Sequence, residues 1–300
     1  MTMKKYFAAA ALVWLLAFTT DLAAQNTALG FIRIDRNPRT SALAGAGAAS
    51  DDNGAYAAFR NAATLSFLPG LGDVAGGVQL WEMSNEVDKT TNLLACTGFR
   101  LGKFGVALGT AFQMGVPVST YNPSDLLVSL GLSYAILDGL SLGVNARFAQ
   151  QNFTQTVHVN GFSADVTVFG KIDDAISLIG GVACLGPKVK GSAAAYSQPS
   201  YAHVGAAWHK AFAEHGISLA LDAECNFDGG VAGAVGAVYS YDQTAFLRVG
   251  YRLSGKNVAI PSHLALGVGV QLHGFRADVS YLTASPVLGN TLSIGVGYSF

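Results

Sequence analysis

Apolar and polar residues alternate strictly along most of the chain after residue 72. The stretch HLALGVGVQL (263–272) alternates leucine or valine with histidine, alanine, glycine and glutamine. The stretches LSLGVNARF (140–148), ISLALDAE (217–224) and GFRADVSYL (274–282) follow the same rule. Successive side chains of a strand point to opposite faces, so a period of two predicts β-strands with one apolar face.

Counting such segments gives about fourteen predicted strands of roughly ten residues, which is the length that crosses a bilayer at a tilt. Their predicted positions are 72–82, 91–100, 103–113, 125–136, 139–149, 161–171, 174–184, 199–209, 215–225, 230–240, 243–252, 262–272, 274–282 and 291–300.

The connections between these segments differ in length from one side to the other. Links such as LG (101–102) and HG (273–274) are very short, whereas MGVPVSTYNPS (114–124) and LGPKVKGSAAAYSQ (185–198) are long and polar. Short turns on one side and long loops on the other are typical of transmembrane β-barrels. Residues 72–300 are therefore predicted to form an all-β, transmembrane, antiparallel β-barrel.

A soluble two-sheet sandwich or a lipocalin-like barrel is the alternative, with the apolar faces pointing inward. The opposite face would then meet water, yet it consists largely of glycine and serine with scattered charges. That composition suits a crowded lumen better than a water-exposed surface. The pattern therefore favours the barrel in a membrane.

Composition supports a membrane environment and narrows the partners. Hydrophobic residues make up 51% of the chain and mean hydropathy is +0.36. Charged residues make up only 12%, about half of the roughly 25% usual in globular proteins. The formal net charge is −1, so the basic excess of a nucleic-acid-binding protein is absent.

The start of the chain has the pattern of a secretory signal. Lys4 and Lys5 precede an apolar run at 6–18, and small residues follow up to Ala24. This order of basic, apolar and small residues predicts a signal peptide at 1–24. An uncleaved membrane anchor is the alternative, but the run is shorter than the roughly 20 residues that a spanning helix needs.

Residues 25–71 differ from both neighbouring regions. They are richer in arginine, aspartate and asparagine, and they lack alternation. A barrel of this size encloses more space than its own side chains fill. We therefore predict an N-terminal plug inside or beneath the barrel, with a flexible periplasmic tail as the alternative.

The stretch FIRIDRNPRTSALAGAGAASDDNGAYAAFRNAATLSF (31–67) resembles the N-terminal signature of the PorV/PorQ family of outer-membrane proteins. The matching positions are Phe31, Arg39, Ala42, Leu43, Gly45, Gly47, Asn61 and Ala62. The chain departs from the family pattern at two places. Arg60 stands where the family has an aromatic residue, and Ala62 follows Asn61 without the usual proline.

The resemblance implies a fold, a location and a role. The family is similar to the FadL-type fatty-acid transporter, a barrel of fourteen strands with an N-terminal plug. It implies the outer membrane of a Gram-negative, Bacteroidota-like bacterium, and a non-enzymatic scaffold or shuttle for type IX secretion cargo. The implied partners are outer-membrane lipid, the barrel-assembly machinery and type IX secretion components or cargo. A FadL-like transporter of hydrophobic small molecules and a purely structural barrel are the alternatives.

Charged residues on the polar phase of the strands are predicted to face the lumen, because charge facing lipid costs about 2–4 kcal/mol near mid-bilayer. They are Arg147, Asp165, Asp222, Glu224, Arg248, Arg252, Arg276 and Asp278. One interpretation is a network of salt bridges that locks the plug to the wall. The other is a polar path for permeation or a ligand.

Aromatic residues mark the predicted strand ends and the end of the chain. The final stretch, LSIGVGYSF (292–300), presents Tyr298 and Phe300 as the terminal signal that barrel-assembly machinery reads. Aromatic girdles lie where the wall meets the membrane surface. The candidate girdle residues are Trp81, Tyr134, Trp208, Tyr239, Tyr251, Tyr281 and Tyr298.

The sequence carries no pattern of catalytic chemistry. Cys96, Cys184 and Cys225 are widely separated and are interpreted as small buried residues. The histidines do not cluster with metal-ligand spacing, and AGAGAAS (44–50) lacks the third glycine of a dinucleotide-binding loop. We therefore expect no catalytic, cofactor or metal site, and no enzyme.

Overall fold

Fourteen long strands form one closed, antiparallel barrel, as the alternation predicts. The computed structural model describes residues 27–82, 89–116, 121–154, 157–191, 194–256, 258, 260–283 and 290–300. The predicted signal peptide at 1–24 lies outside the described residues. No helix in the described ranges is both long and apolar enough to span a bilayer.

Each barrel strand pairs with its neighbours in the chain, and the first barrel strand pairs with the last to close the barrel. The barrel strands are β1 (Gly72–Glu82), β2 (Lys89–Leu101), β3 (Phe104–Met114), β4 (Ser124–Leu137), β5 (Leu140–Asn152), β6 (His158–Lys171), β7 (Ile176–Leu185), β10 (Tyr201–Phe212), β11 (His215–Asn226), β12 (Val231–Tyr241), β13 (Ala245–Ser254), β14 (His263–Leu272), β15 (Phe275–Leu282) and β16 (Asn290–Ser299).

One further pair of strands lies between β7 and β10. Strands β8 (Val189–Lys190) and β9 (Ala195–Tyr196) form a separate hairpin, so β7 pairs directly with β10. The sequence analysis does not predict this hairpin, because strands of two residues carry no periodicity.

The outer face of the wall is apolar. Phe162 and Phe275 are each 65% exposed, and Leu253 is 64% exposed. Closure of the barrel leaves no open sheet edge, so the backbone groups of the wall are paired within the sheet. The outer face is therefore suited to lipid.

Small and polar residues line the inner face. Ser129, Asn145 and Ser293 are fully buried. At Gly143 and Gly250 the barrel wall lies against the backbone of the N-terminal segment, and a Cβ at either position would overlap that backbone. These glycines let a second layer of chain fit inside the barrel.

That second layer is the segment 27–71, called the plug below. Its helical turns are the 3-10 helices Gly30–Arg33, Asp51–Ala58 and Ala62–Phe67 and the α-helical turn Pro38–Ser41. The Ala28 amide donates to the carbonyl of Ser197, at the end of the barrel with long loops (the loop end). The Gly72 amide, just after the plug, donates to the carbonyl of Phe300 at the end with short turns (the turn end). The plug therefore runs the length of the lumen.

Two details of the sequence interpretation are wrong. Trp81 does not join the outer girdle, because it shares the inward phase of β1 with Asp73 and Gln79 and lines an internal cavity. Cys225 is exposed, because it continues the outward apolar phase of β11, whereas Cys96 and Cys184 are buried. Both side chains follow the alternation of their own strands.

Candidate functional site

The predicted lumen charges lie on the inner face of the wall, and plug arginines join them. Glu224 accepts hydrogen bonds from Arg33 of the plug at 2.6 Å and from Arg252 of the wall. Asp278 accepts from Arg39 of the plug at 2.9 Å and from Arg248 of the wall at 2.8 Å. Each carboxylate therefore joins one plug arginine to one wall arginine, and the plug is fixed to the wall at both places.

A third pair lies within the wall. Arg147 on β5 donates to Asp165 on β6, with 2.7 Å between Nη1 and Oδ1. The other terminal nitrogen of Arg147 reaches Asp165 and the carbonyl of Phe59 in the plug. This guanidinium therefore also connects the plug to the wall.

The seam where the barrel closes carries a pair that the sequence analysis missed. Arg276 on β15 donates to Asp73 on β1, and Ser299 on β16 donates to the same carboxylate at 2.6 Å. Asp73 also accepts the Ala55 amide of the plug at 2.6 Å. The inward phase of Asp73 is readable from β1, but its partner is more than 200 residues away.

The residues of the family-like signature are distributed over the plug, and several contact the wall. Asp222 accepts the Gly47 amide at 2.7 Å. Leu43 packs against Gly250, and Ala42 packs against Gly267. Gly45 has positive φ in the turn that follows, so the backbone reverses there. These contacts explain the run of small residues, because the plug backbone approaches the wall closely.

Asn61 and Ala62 lie at the other end of the signature. The Asn61 side-chain amide donates to the carbonyl of Ala48 at 2.5 Å, within the plug. The Ala62 amide donates to Asn145 of β5 at 3.0 Å. The Asn145 side chain also donates to the carbonyls of Ala57 and Ala58 at 3.0 and 2.8 Å. One wall asparagine thus holds three backbone groups of the plug.

A cavity of about 330 Å³ lies between the plug and the wall at the loop end. Strand ends that lead into the long loops contribute Trp81, Gln113, Asp125 and Tyr201. The plug contributes the whole stretch 30–37 and residues that include Tyr56, Phe59 and Arg60. The lining of this cavity mixes aromatic surface with guanidinium groups.

Arg36 is the most buried of the arginines that line this cavity, at 2% exposure. Its terminal nitrogens donate to the carbonyls of Phe31 at 2.9 Å and Ile34 at 3.0 Å. Burial, and then the neighbouring charge of Arg147, lower the pKa of Arg36 to about 9. The guanidinium is therefore still protonated at neutral pH.

The described residues contain no group of three histidine, cysteine or acidic side chains that could hold a metal ion. Glu224 and Asp278, with their arginine partners, are engaged in fixing the plug to the wall. The cavity is thus the part of the site where a small molecule can be held, because a site of this size falls in the range of ligand pockets.

Comparison with known proteins shows a shared fold and little shared sequence. No protein-family model matches the sequence, and no curated protein matches it significantly. The monoaromatic hydrocarbon channel CymD superposes with a TM-score of 0.67 at 12% identity, over 88% of this chain and 97% of that channel. The toluene transporter TodX of Pseudomonas putida gives 0.67 at 12% identity, over 88% and 98%. A FadL homologue from Pseudomonas aeruginosa gives 0.60 at 10% identity, over 88% and 98%. The chain therefore has the fold of FadL-like barrels.

Proposed function

We propose that the protein is an outer-membrane transporter that takes up small, largely apolar molecules through the cavity at the loop end. The cavity between plug and wall is the observation that carries this proposal. The fold similarity supports it, because the similar barrels include a toluene transporter and a monoaromatic hydrocarbon channel. No enzymatic step is part of the proposed role.

The packing of the plug supports an entry site that is closed toward the turn end. The plug residues Ala55, Ala58 and Leu65 are fully buried against the wall. A molecule in the cavity therefore reaches the turn end only after the plug shifts. The cavity is the first binding site on this route.

Aromatic residues at the turn end of β15 and β16 support an outer-membrane location. Phe300 is 46% exposed on the outer surface, and its backbone pairs with Gly72 in both directions at 2.9 Å. Tyr298 packs on Phe275 with 4.5 Å between ring centroids. An aromatic last strand suits recognition by the barrel-assembly machinery. Replacing Phe300 with serine should lower the amount of heat-modifiable, folded barrel in outer-membrane fractions.

Gly30 offers a direct test of the cavity. It lines the cavity, and a Cβ at this position meets no atom within 4 Å. Gly30→Phe should fill the space without disturbing the wall, whereas Gly30→Ala leaves most of it open. Calorimetry with toluene should show binding to the wild type and Gly30→Ala, and affinity at least about tenfold weaker for Gly30→Phe. Equal affinities in the two variants would contradict the proposal.

A scaffold or shuttle for type IX secretion cargo is the second proposal. The signature at 31–67 supports it, and so do the shared carboxylates Glu224 and Asp278, which hold the plug in place. A fixed plug suits a barrel whose loops bind an exported partner. Deletion of the gene should then lower the amount of cargo at the cell surface. Complementing the deletion with a gene copy that carries Gly30→Phe should restore that amount fully. Unchanged cargo after deletion would rule out this role.

A further inference from the structure

The guanidinium group of Arg36 lacks a carboxylate partner among the described residues. Its terminal nitrogens bond only to the plug carbonyls of Phe31, Ile32 and Ile34, and its Nε has no partner. The other buried arginines of the site, such as Arg39 and Arg252, each contact a carboxylate. A buried cation without a counter-charge is destabilising unless another group compensates it.

Further unpaired donors border the same cavity. Arg33, Arg60 and Arg147 each have a buried Nε without a hydrogen-bond partner. Three carboxylates line the cavity as well, those of Asp35, Asp125 and Glu224, and each accepts at least one hydrogen bond from the protein. Asp35 accepts from Thr40 at 2.9 Å, and Asp125 accepts from Gln113 at 3.0 Å. Of the buried lining atoms without a partner, four are guanidinium Nε donors, and the other three are the acceptor oxygens Asp35 Oδ2, Asn61 Oδ1 and Gln113 Oε1. All four unpaired donors therefore belong to cationic groups.

The rest of the lining is aromatic and apolar. Phe31, Tyr56, Phe59, Trp81 and Tyr201 line the cavity. The Arg36 guanidinium lies 5.7 Å from the ring centroid of Phe59, and that of Arg33 lies 4.2 Å from that of Tyr201. Aromatic rings pack well on such surfaces in offset or edge-to-face geometry. The lining therefore complements a flat ring that carries an anionic group.

We propose that the cavity selects a compact aromatic carboxylate, with the carboxylate at Arg36 and the ring among the aromatic side chains. This proposal rests on the proposed transport function and narrows its substrate class. It differs from a hydrocarbon cargo, because a neutral ring leaves the Arg36 charge uncompensated. Charge-assisted hydrogen bonds from guanidinium to carboxylate are short, strong and directional.

The test compares benzoate, toluene and dodecanoate as ligands of the full-length protein in detergent micelles. Benzoate and toluene share the ring and differ in the charge, whereas dodecanoate keeps the charge on an alkyl chain. Calorimetry should give benzoate an affinity about 10- to 100-fold above that of toluene, the gain expected for one charge-assisted hydrogen bond. Added salt should weaken the binding of benzoate and leave the affinity for toluene unchanged.

Arg36→Met should remove the preference by lowering benzoate affinity while leaving toluene within about twofold. Arg100→Met is the matched control, because Arg100 also donates to a plug carbonyl, that of Leu68 at 2.7 Å, but does not line the cavity. It should bind both ligands as the wild type does. Heat-modifiability on gels shows whether each variant is folded. If Arg36→Met does not fold, Arg36→Lys should still bind benzoate more tightly than toluene.

The remaining outcomes separate this inference from the transport proposal. Toluene binding at least as tight as benzoate in the wild type would overturn the inference and leave the transport proposal intact. Dodecanoate binding tighter than benzoate would overturn the aromatic part of the inference. If Arg36→Met lowered the affinities for benzoate and toluene to the same extent, Arg36 would only maintain the structure of the plug. That result would contradict its role in selection. Binding of none of the three ligands would contradict both proposals.

Discussion

The two halves of the plug are held in the barrel by different physical means. The charged half, residues 33–45, is fixed by arginines that share carboxylates with wall arginines. The alanine-rich half, residues 53–67, is fixed mainly by neutral hydrogen bonds to wall residues such as Ser129, Ser141 and Asn145. Two charged wall residues, Asp73 and Arg147, also bond to its backbone. The cavity lies beside the charged half and extends along residues 53–61 of the other half.

This difference indicates that the two halves of the plug have different roles. Residues 62–67 of the alanine-rich half do not line the cavity and are packed against the wall, so this part of the plug closes the lumen toward the turn end. The arginine clusters keep polar groups next to the cavity, and Arg36 remains there without a carboxylate partner among the described residues. The charged half therefore combines attachment with recognition.

The largest effect should come from removing a shared carboxylate of the charged half. Asp278→Asn removes the buried carboxylate that Arg39 and Arg248 share. We expect the free energy of unfolding to fall by about 3–5 kcal/mol, as for other broken buried ion pairs. Urea unfolding in lipid vesicles measures it, with the exposed-turn variant Asp242→Asn as control. If the free energy of unfolding fell by less than about 1 kcal/mol, these buried pairs would contribute no more than exposed salt bridges do.

A smaller loss is expected in the alanine-rich half. Asn145→Leu removes the side-chain partner of the Ala62 amide and of the Ala57 carbonyl, whereas the Ala58 carbonyl keeps its bond from Ser129. We expect a loss of about 2–3 kcal/mol, because buried polar groups become unsatisfied. Hydrogen exchange should then increase in residues 53–67 and remain unchanged in residues 33–45. Asn160→Leu on the outer face is the matched control. Equal hydrogen exchange of residues 53–67 in both variants would contradict the role of Asn145 in holding this half of the plug.

The smallest effect should come from the one arginine of the alanine-rich half. Arg60 lies 4.0 Å from Asp222, and its side chain is 25% exposed, compared with 9% for Arg39. Asp222 keeps its bonds from the Gly47 and Ala48 amides when Arg60 is absent. Arg60→Gln should therefore cost less than about 1 kcal/mol in the same unfolding experiment. A loss as large as that of Asp278→Asn would remove the distinction between the two halves.

The barrel is predictable from the sequence because alternation is local. A stretch such as 263–272 assigns every side chain to a face without reference to any other strand, and closure follows from adding such stretches. The same alternation also assigns Trp81 to the lumen and Cys225 to the outer face, once each is counted in phase with its strand. Those two errors arose because residue type was weighed above phase.

The pairing of charges and the cavity are not local properties. Arg276 and Asp73 meet because the last strands return to the first, across 203 positions of sequence. The sequence shows that both face inward but not that they are partners. The cavity exists where the plug backbone does not contact the wall, and that separation is defined only in the folded chain. The isolated position of Arg36 is likewise visible only once the partners of the other arginines are known.

The most direct test of the central claim is uptake by cells in which the native copy is replaced by Gly30→Phe or Gly30→Ala. Initial rates are measured with radiolabelled benzoate and toluene at equal amounts of folded barrel. We predict that Gly30→Ala matches the wild type, while Gly30→Phe lowers uptake at least about tenfold, in proportion to the weaker binding. Equal uptake by the two variants would contradict the claim that the cavity between plug and wall is the entry site.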